Sequence, residues 1–250
     1  MGAPRLISVV VPVYGEAGCL GETVRTLSAL LEDIQPGDWE LVLVNDGSAD
    51  GTGPLIDELA AGSPHIVGAH HAVNRGKGAA IQTGVGLTRG DLVLFTDADL
   101  STPPDTLRAF LLEIDQGADV VLGNRKSSAA TIERSQPWLR VQLGLGFTRL
   151  ANAVTGMAVT DYTCGFKLFR GDAARRIFAE LGTARWCFDV EVLARAVRDD
   201  LRIIEIPVRW HHEDDTRVRV ARDIVQSLVE LFAIRRRLGR VPRGRGGASS

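Results

Sequence analysis

Cysteine is scarce in this chain of 250 residues: Cys19, Cys164 and Cys187 are odd in number, far apart and without a Cys-x-x-Cys pair. That speaks against a disulfide framework and a structural zinc site, and for a reducing compartment. Long apolar runs are missing as well. The run from Ile7 to Val13 is short and interrupted by Pro12, which suits neither a secretory signal core nor a bilayer span, so a cytoplasmic chain is expected. No Gly-x-Gly-x-x-Gly follows that run, where Val13-Tyr-Gly-Glu-Ala-Gly18 stands instead, and Lys77 lacks the spacing of a Walker A loop. No internal repeat and no linker is visible. With 45% hydrophobic and 24% charged residues, the chain suits one large domain over residues 1–240, followed by a basic disordered tail over 241–250.

What is present begins with charge. The net value of −2 conceals nine arginines between Arg217 and Arg245, set against Asp223 and Glu230 alone. A basic end on an acidic body suggests an anionic surface as partner. Nucleic acid is a poor candidate, since those arginines have no interleaved aromatics.

Apolar stretches alternate with helical patterns along the first half. Strands are expected at Leu6–Val13, Trp39–Asn45, Ile66–His70, Leu92–Phe95 and Asp119–Gly123, with Pro12 closing the first one's hydrogen bonding. Helices are expected near Leu20–Ile34, Pro54–Ala61, after Gly78, and around Pro104–Gln116. This rhythm predicts an α/β fold with a mostly parallel central sheet flanked by helices. After Gly123 it breaks. Lys126–Gln136 reads as a mobile loop, Trp138–Val159 as a glycine-interrupted helix, and Asp161–Phe169 as a turn leading into a short strand. Helices over Gly171–Leu181 and Phe188–Val197, a strand over Leu201–Trp210 and a final helix over Val218–Leu238 complete the chain.

In a parallel sheet the carboxyl ends of the strands share one edge, where ligands bind. Four of these ends carry polar clusters: Tyr14/Glu16, Asp46, Asp97/Asp99 and Gly123-Asn-Arg125. Asp97 and Asp99 can converge on one hard cation and a phosphate, or they can cap the following helix, although Ser101 or Thr102 suffices for that. Asn74-Arg-Gly-Lys-Gly78 opens a helix and sets Lys77 where backbone N–H groups favour an anion. His211-His-Glu-Asp-Asp215 contains metal-ligand types, yet five consecutive polar residues are more often simply solvated.

Pro12-Val-Tyr-Gly-Glu16, Asn45-Asp-Gly-Ser-Ala-Asp50, Asn74-Arg-Gly-Lys-Gly78, Asp97-Ala-Asp-Leu-Ser-Thr102, Gly123-Asn-Arg125, Asp161-x-x-Cys-Gly-Phe-Lys-Leu-Phe169 and Trp186-Cys-Phe-Asp-Val-Glu191 occur in that order. Together they resemble family 2 glycosyltransferases of the GT-A fold, over roughly Ile7 to Arg222, and most of all the members that move glucose or mannose to dolichyl phosphate. The resemblance implies a nucleotide-sugar donor, UDP-glucose being favoured, and Mg²⁺ or Mn²⁺ on Asp97 and Asp99. It also implies a polyprenyl phosphate acceptor. Asp46 would bind the nucleobase, with Pro12, Tyr14 and Glu16 shaping its pocket, and Lys77, Ala98, Arg217 and Arg219 would line the rest of the donor site. Arg125 would meet a phosphate, beside Asp99, as part of the catalytic set.

An acceptor oxygen that is already anionic needs no strong base. Inversion by direct attack is therefore expected, with Asp189 and Glu191 as fallback bases for a soluble or glycan acceptor. Their plainer role is to complement a helix dipole. A non-enzymatic nucleotide-sugar binder is a further alternative, which retention of both Asp97 and Asp99 disfavours. In the last helix Val225, Leu228, Val229 and Phe232 share a face, ahead of Arg235, Arg236, Arg237 and Arg240. The helix can dock on the sheet, or it can adsorb to anionic lipid at roughly 1 kcal/mol per basic residue. This places the chain at the cytoplasmic membrane face.

Overall fold

A computed structural model describes residues 5–35, 38–132, 138–211 and 220–239. Its central sheet has seven strands in the order β3-β2-β1-β4-β7-β5-β8. These are β1 (Ile7–Val13), β2 (Trp39–Asn45), β3 (Ile66–His70), β4 (Leu92–Thr96), β5 (Val120–Asn124), β7 (Phe166–Arg170) and β8 (Ile203–Pro207). Every pairing among them is parallel except those of β7, which runs antiparallel to both β4 and β5. The α/β class and the mostly parallel sheet thus follow the apolar rhythm of the sequence.

Strands buried on both faces need apolar residues at consecutive positions, and alternate side chains enter two separate cores. Val10, Val42, Val44, Val93 and Phe95 enter one; Val9, Val11, Leu41, Leu43, Leu92 and Leu94 enter the other. The first is covered by α3 (Lys77–Leu87), α6 (Gly171–Ala179) and α7 (Phe188–Arg198), the second by α1 (Leu20–Ile34), α2 (Thr52–Gly62) and α4 (Thr106–Asp115). Phe95 sits among Phe169, Phe178 and Phe188, with ring centroids 5.9 to 6.3 Å away. Truncating it to alanine would cost about 3–5 kcal/mol, directly beneath the β4 end that carries Asp97.

Three expectations about the strands are corrected. Pro12 does not end β1: pairing with β2 runs on to Val13 opposite Asn45, while pairing with β4 reaches only Val10, so Pro12 lies beyond the last rung shared with β4. The stretch read as a mobile loop contains β6 (Thr131–Ile132), which pairs in parallel with β9 (Arg209–Trp210); residues 133–137 lie outside the described set. The strand foreseen over Leu201–Trp210 is therefore two strands, because it leaves one sheet at Pro207 and joins the other at Arg209.

The helix α5 spans Trp138–Thr155, and α8 (Val220–Leu238) closes the described chain. The docked face of α8 differs from the predicted one: Leu231 and Ile234 are buried, Leu228 is half-buried, and Val229 and Phe232 are exposed. The side chain of Val225 lies outside the described residues, as do Arg217, Arg219, Arg240, the His212–Asp215 stretch and the expected disordered tail.

Candidate donor and catalytic site

Main-chain geometry gathers the rim. The loops after β1 and β2 are stitched together, Gly15 N donating to Ser48 Oγ at 2.9 Å and Glu16 N to Thr52 Oγ1 at 3.2 Å. Tyr14 is 43% exposed beside them, and Pro12 and Glu16 are half-buried. Asp46 is buried, and its carboxylate accepts from Arg75 N at 2.9 Å, from Gly76 N at 2.8 Å and from the His71 ring at 2.7 Å. Three protein donors already surround it, so its first effect is to fold residues 71–76 back over the end of β2. Gly76 has φ +103°, a left-handed value that a side chain would resist, and the turn made there begins α3.

Lys77 is the first residue of α3, and its ammonium lies 2.5 Å from Asp97 Oδ1. Asp46 and Asp97 are therefore linked along one edge through Gly76 and Lys77, as a parallel sheet requires. Burial works against the Lys77 charge, but Asp97 and then Asp189 outweigh it and hold its pKa above the ordinary lysine value. The helix start is less open to an anion than its glycines suggest, since Ala79 N donates to Ala184 O at 3.0 Å. Arg75 itself is exposed.

Asp97 and Asp99 flank a buried Ala98, whose carbonyl accepts from Thr23 Oγ1 at 2.5 Å. Asp99 is exposed and accepts from Ser101 N at 2.9 Å, and Leu100 between them has φ +51°. A leucine held in this region marks local strain of about 1–2 kcal/mol. Beneath Asp97 runs Gly165: a Cβ there would stand 1.9 Å from Asp97 Oδ2. His211 N donates to Ser101 O at 3.1 Å, which returns the chain to this turn just before Arg217 and Arg219.

Arg125, just beyond β5, is held by Asp161 in a two-point fork, Nε to Oδ2 at 2.8 Å and Nη2 to Oδ1 at 2.9 Å. It also donates to Thr163 Oγ1 at 2.8 Å and lies over the Trp210 ring. Burial would raise the Asp161 pKa, but Arg125 pulls the carboxyl down to about 2. The pairing fixes the guanidinium in one orientation on the rim. Asp161 was legible only as part of a motif.

Asp189 and Glu191 do different things. Asp189 Oδ1 receives Lys167 Nζ at 2.7 Å, and burial lifts its pKa above the ordinary range against the pull of Lys167 and Lys77. Glu191 faces away, its carboxylate taken up by Thr183 Oγ1, Gly182 N, Arg195 and Arg237 of α8. Two positions apart on a helix, the side chains do not share a face. Lys167 itself was overlooked. It is wholly buried, donates to Cys164 O at 2.6 Å and lies 5.1 Å from the Phe95 ring centroid. A lysine inside an apolar strand needs an acidic partner, and that was the available signal.

All three cysteines are free, and burial raises each thiol, Cys19 to about 11 and Cys187 to about 12. None has the character of a nucleophile. Among the described residues no group of three or more His, Cys, Asp or Glu side chains could hold a metal ion. Two carboxylates with substrate phosphates are, however, a normal magnesium site, and Lys77 shows that a cation is accommodated at Asp97.

The α/β sheet with acidic and basic groups at this edge has the architecture of its structural neighbours, the GT-A glycosyltransferases. Residues 8–178 match Glycosyl transferase family 2, and the chain belongs to that family. It is 34% identical over 235 residues, 90% of its own length and 69% of the relative's, to the dolichyl-phosphate beta-glucosyltransferase ALG5C of Trichomonas vaginalis. Polyprenol monophosphomannose synthase of Mycolicibacterium smegmatis is 31% identical over 207 residues, covering 81% of this chain and 76% of that one. Among solved structures, glucosyl-3-phosphoglycerate synthase of Mycobacterium tuberculosis, in complex with Mn²⁺, UDP and glucosyl-3-phosphoglycerate, superposes with a TM-score of 0.67. It has 20% identity, over 94% of this chain and 81% of that chain.

Proposed function

We propose that the protein transfers a hexose, glucose from UDP-glucose first among the choices, to a polyprenyl monophosphate with inversion at the anomeric carbon. The observation that carries this reading is the alternation of charge at one sheet edge: Asp97 against Lys77 at the end of β4, and Arg125 clamped by Asp161 beyond β5. Asp97 and Asp99 would hold Mg²⁺ or Mn²⁺, which when bound supplies Lewis-acid neutralisation of the leaving diphosphate. Lys77 adds positive charge to the same diphosphate. Arg125 would meet the acceptor phosphate with the N–H groups that its fork to Asp161 leaves over, and because Asp161 fixes its orientation beforehand, little reorganisation is needed. Tyr14 and Glu16, beside the Asp46 loop, border the nucleobase and ribose. Arg217 and Arg219 would close over the phosphates.

The acceptor's charge replaces a base. Asp189 is bonded to Lys167 and Glu191 to two arginines, which disfavours both as the base an alcohol acceptor would require. An acceptor of that kind, soluble or glycan, is the second reading, and the raised Asp189 carboxyl is its one support.

Among the described residues no helix is long and apolar enough to cross a membrane. The exposed Val229 and Phe232 on α8, with the exposed Arg236 after them, support adsorption to an anionic membrane surface on the cytoplasmic side; Arg237 is engaged by Glu191 and Arg235 by Val154 O. Purified protein with Mg²⁺, polyprenyl phosphate and a panel of labelled UDP-sugars and GDP-mannose should give a lipid-linked hexose of opposite anomeric configuration to the donor. No lipid-linked product with any donor would remove the polyprenyl phosphate acceptor.

A further inference from the structure

We propose that Lys77 is an exchangeable internal cation: it occupies Asp97 while the donor is absent and competes there with the divalent ion, so that the ion binds tightly only together with the nucleotide. This rests on the donor-site reading above and adds a rule for how that site fills.

Lys77 Nζ and a metal ion would draw on the same carboxylate. Its Oδ1 is 2.5 Å from the ammonium, and its other side is closed by the Gly165 main chain, where even a Cβ would stand 1.9 Å from Oδ2. A divalent ion of this kind needs its oxygen ligands at about 2.0–2.2 Å. Two cations cannot both take the same open side of one carboxylate without strong repulsion.

The backbone of Lys77 is anchored on both sides, by Asp46 to Gly76 N at 2.8 Å and by Ala79 N to Ala184 O at 3.0 Å. Exchange is therefore a side-chain movement on a fixed pivot. The ammonium also has somewhere to go. Asp189, held by Lys167 at 2.7 Å, is a second acidic group that favours the Lys77 charge. An incoming diphosphate offers a further anion on the same rim. The donor thus draws Lys77 off Asp97 as it delivers ligands for the ion, and by linkage the two bind with positive cooperativity.

The test is Mn²⁺ titration of the full chain, followed by the electron paramagnetic resonance signal of free Mn²⁺, with and without saturating UDP. Wild type should bind Mn²⁺ at least tenfold more tightly with UDP than without it. Lys77→Gln and Lys77→Met should tighten nucleotide-free binding about tenfold and narrow the gap between the two conditions. Lys77→Arg, which keeps the charge, should stay weak without UDP. Adding Asp97→Asn to Lys77→Gln should abolish the gain and so locate the ion. If neither neutral variant tightens nucleotide-free binding, while UDP-dependent binding remains and still needs Asp97, the exchange is wrong and the donor site stands. If Mn²⁺ with UDP is indifferent to Asp97→Asn, the donor-site reading itself falls, and the exchange with it.

Discussion

The substitution Gly165→Ala separates the placing of a carboxylate from the stability of the sheet. A Cβ at residue 165 would lie 1.9 Å from Asp97 Oδ2 and 2.5 Å from Asp97 Cγ, where ordinary contact starts near 3.4 Å. Something must recede by about 1.5 Å. The atoms in the way belong to the end of a side chain rather than to backbone, so the cheapest relief is rotation of the Asp97 carboxylate. Its 2.5 Å contact with Lys77 would then be lost, and so would metal geometry, which tolerates only about 0.2 Å. A misplacement of this order costs roughly 10²-fold in rate. Stability should fall by no more than about 1 kcal/mol, or about 2–4 °C in Tm for a chain of this size.

Two measurements check this. Steady-state hexose transfer should show kcat/KM reduced about 10²-fold, and Mn²⁺ binding in the presence of UDP should weaken in parallel. Thermal melting should stay close to wild type. A variant that keeps full activity refutes the proposed part played by Asp97. One that loses Tm by more than about 10 °C shows that β7 itself yielded, by several kcal/mol.

Two further outcomes follow from the buried pair and the last helix. Asp161→Asn leaves the Arg125 guanidinium without its counter-charge and should cost about 3–5 kcal/mol in urea denaturation at pH 7. Because the Asp161 carboxyl titrates near 2 in the folded chain, against 3.8 ordinarily, its contribution is complete above about pH 4 and is lost as pH falls toward 2; the stability gap between wild type and variant should narrow by roughly 2 kcal/mol over that window, and a gap independent of pH there would contradict the pairing. Val229→Asp and Phe232→Asp alter side chains that are 64% and 62% exposed, so folding should change by less than about 0.5 kcal/mol while flotation with anionic liposomes drops several-fold; equal flotation would remove α8 from membrane contact.

Much of the fold could be read in the chain because strands covered on both faces announce themselves as consecutive apolar residues, as in Leu41–Val44 and Leu92–Phe95. The direction of β7 could not, since Phe166-Lys-Leu-Phe-Arg170 presents the same alternation either way up. Helix faces were ambiguous for a related reason. The helix α8 carries two apolar stripes, and periodicity alone does not say which meets the core; Leu231 and Ile234 do, and Val229 and Phe232 are left outside. Asp97 and Asp46 could be foreseen as neighbours from sheet logic. The engagement of Asp46 with backbone N–H groups of residues 75 and 76 depends on a loop that no spacing rule specifies.

The reversed strand explains why the site is built as it is. Parallel strands deliver their carboxyl ends to one edge, which brings Asp46, Asp97 and Arg125 together. A parallel strand at the position of β7 would bring its last residues to that edge. Its five residues span about 16 Å, so Gly165, at the other end, would lie far from Asp97. Running antiparallel, β7 begins where its neighbours finish, pairing Phe166 with Thr96. Gly165 becomes the floor under Asp97, and Lys167, one residue inside the strand, reaches Asp189. One inversion therefore sets both ends of the series Asp97, Lys77, Asp189, Lys167, in which Asp97 pairs with Lys77 and Asp189 with Lys167. A divalent ion arriving at Asp97 would displace the first partner in that series, so the proposed coupling between metal and nucleotide binding traces back to strand direction.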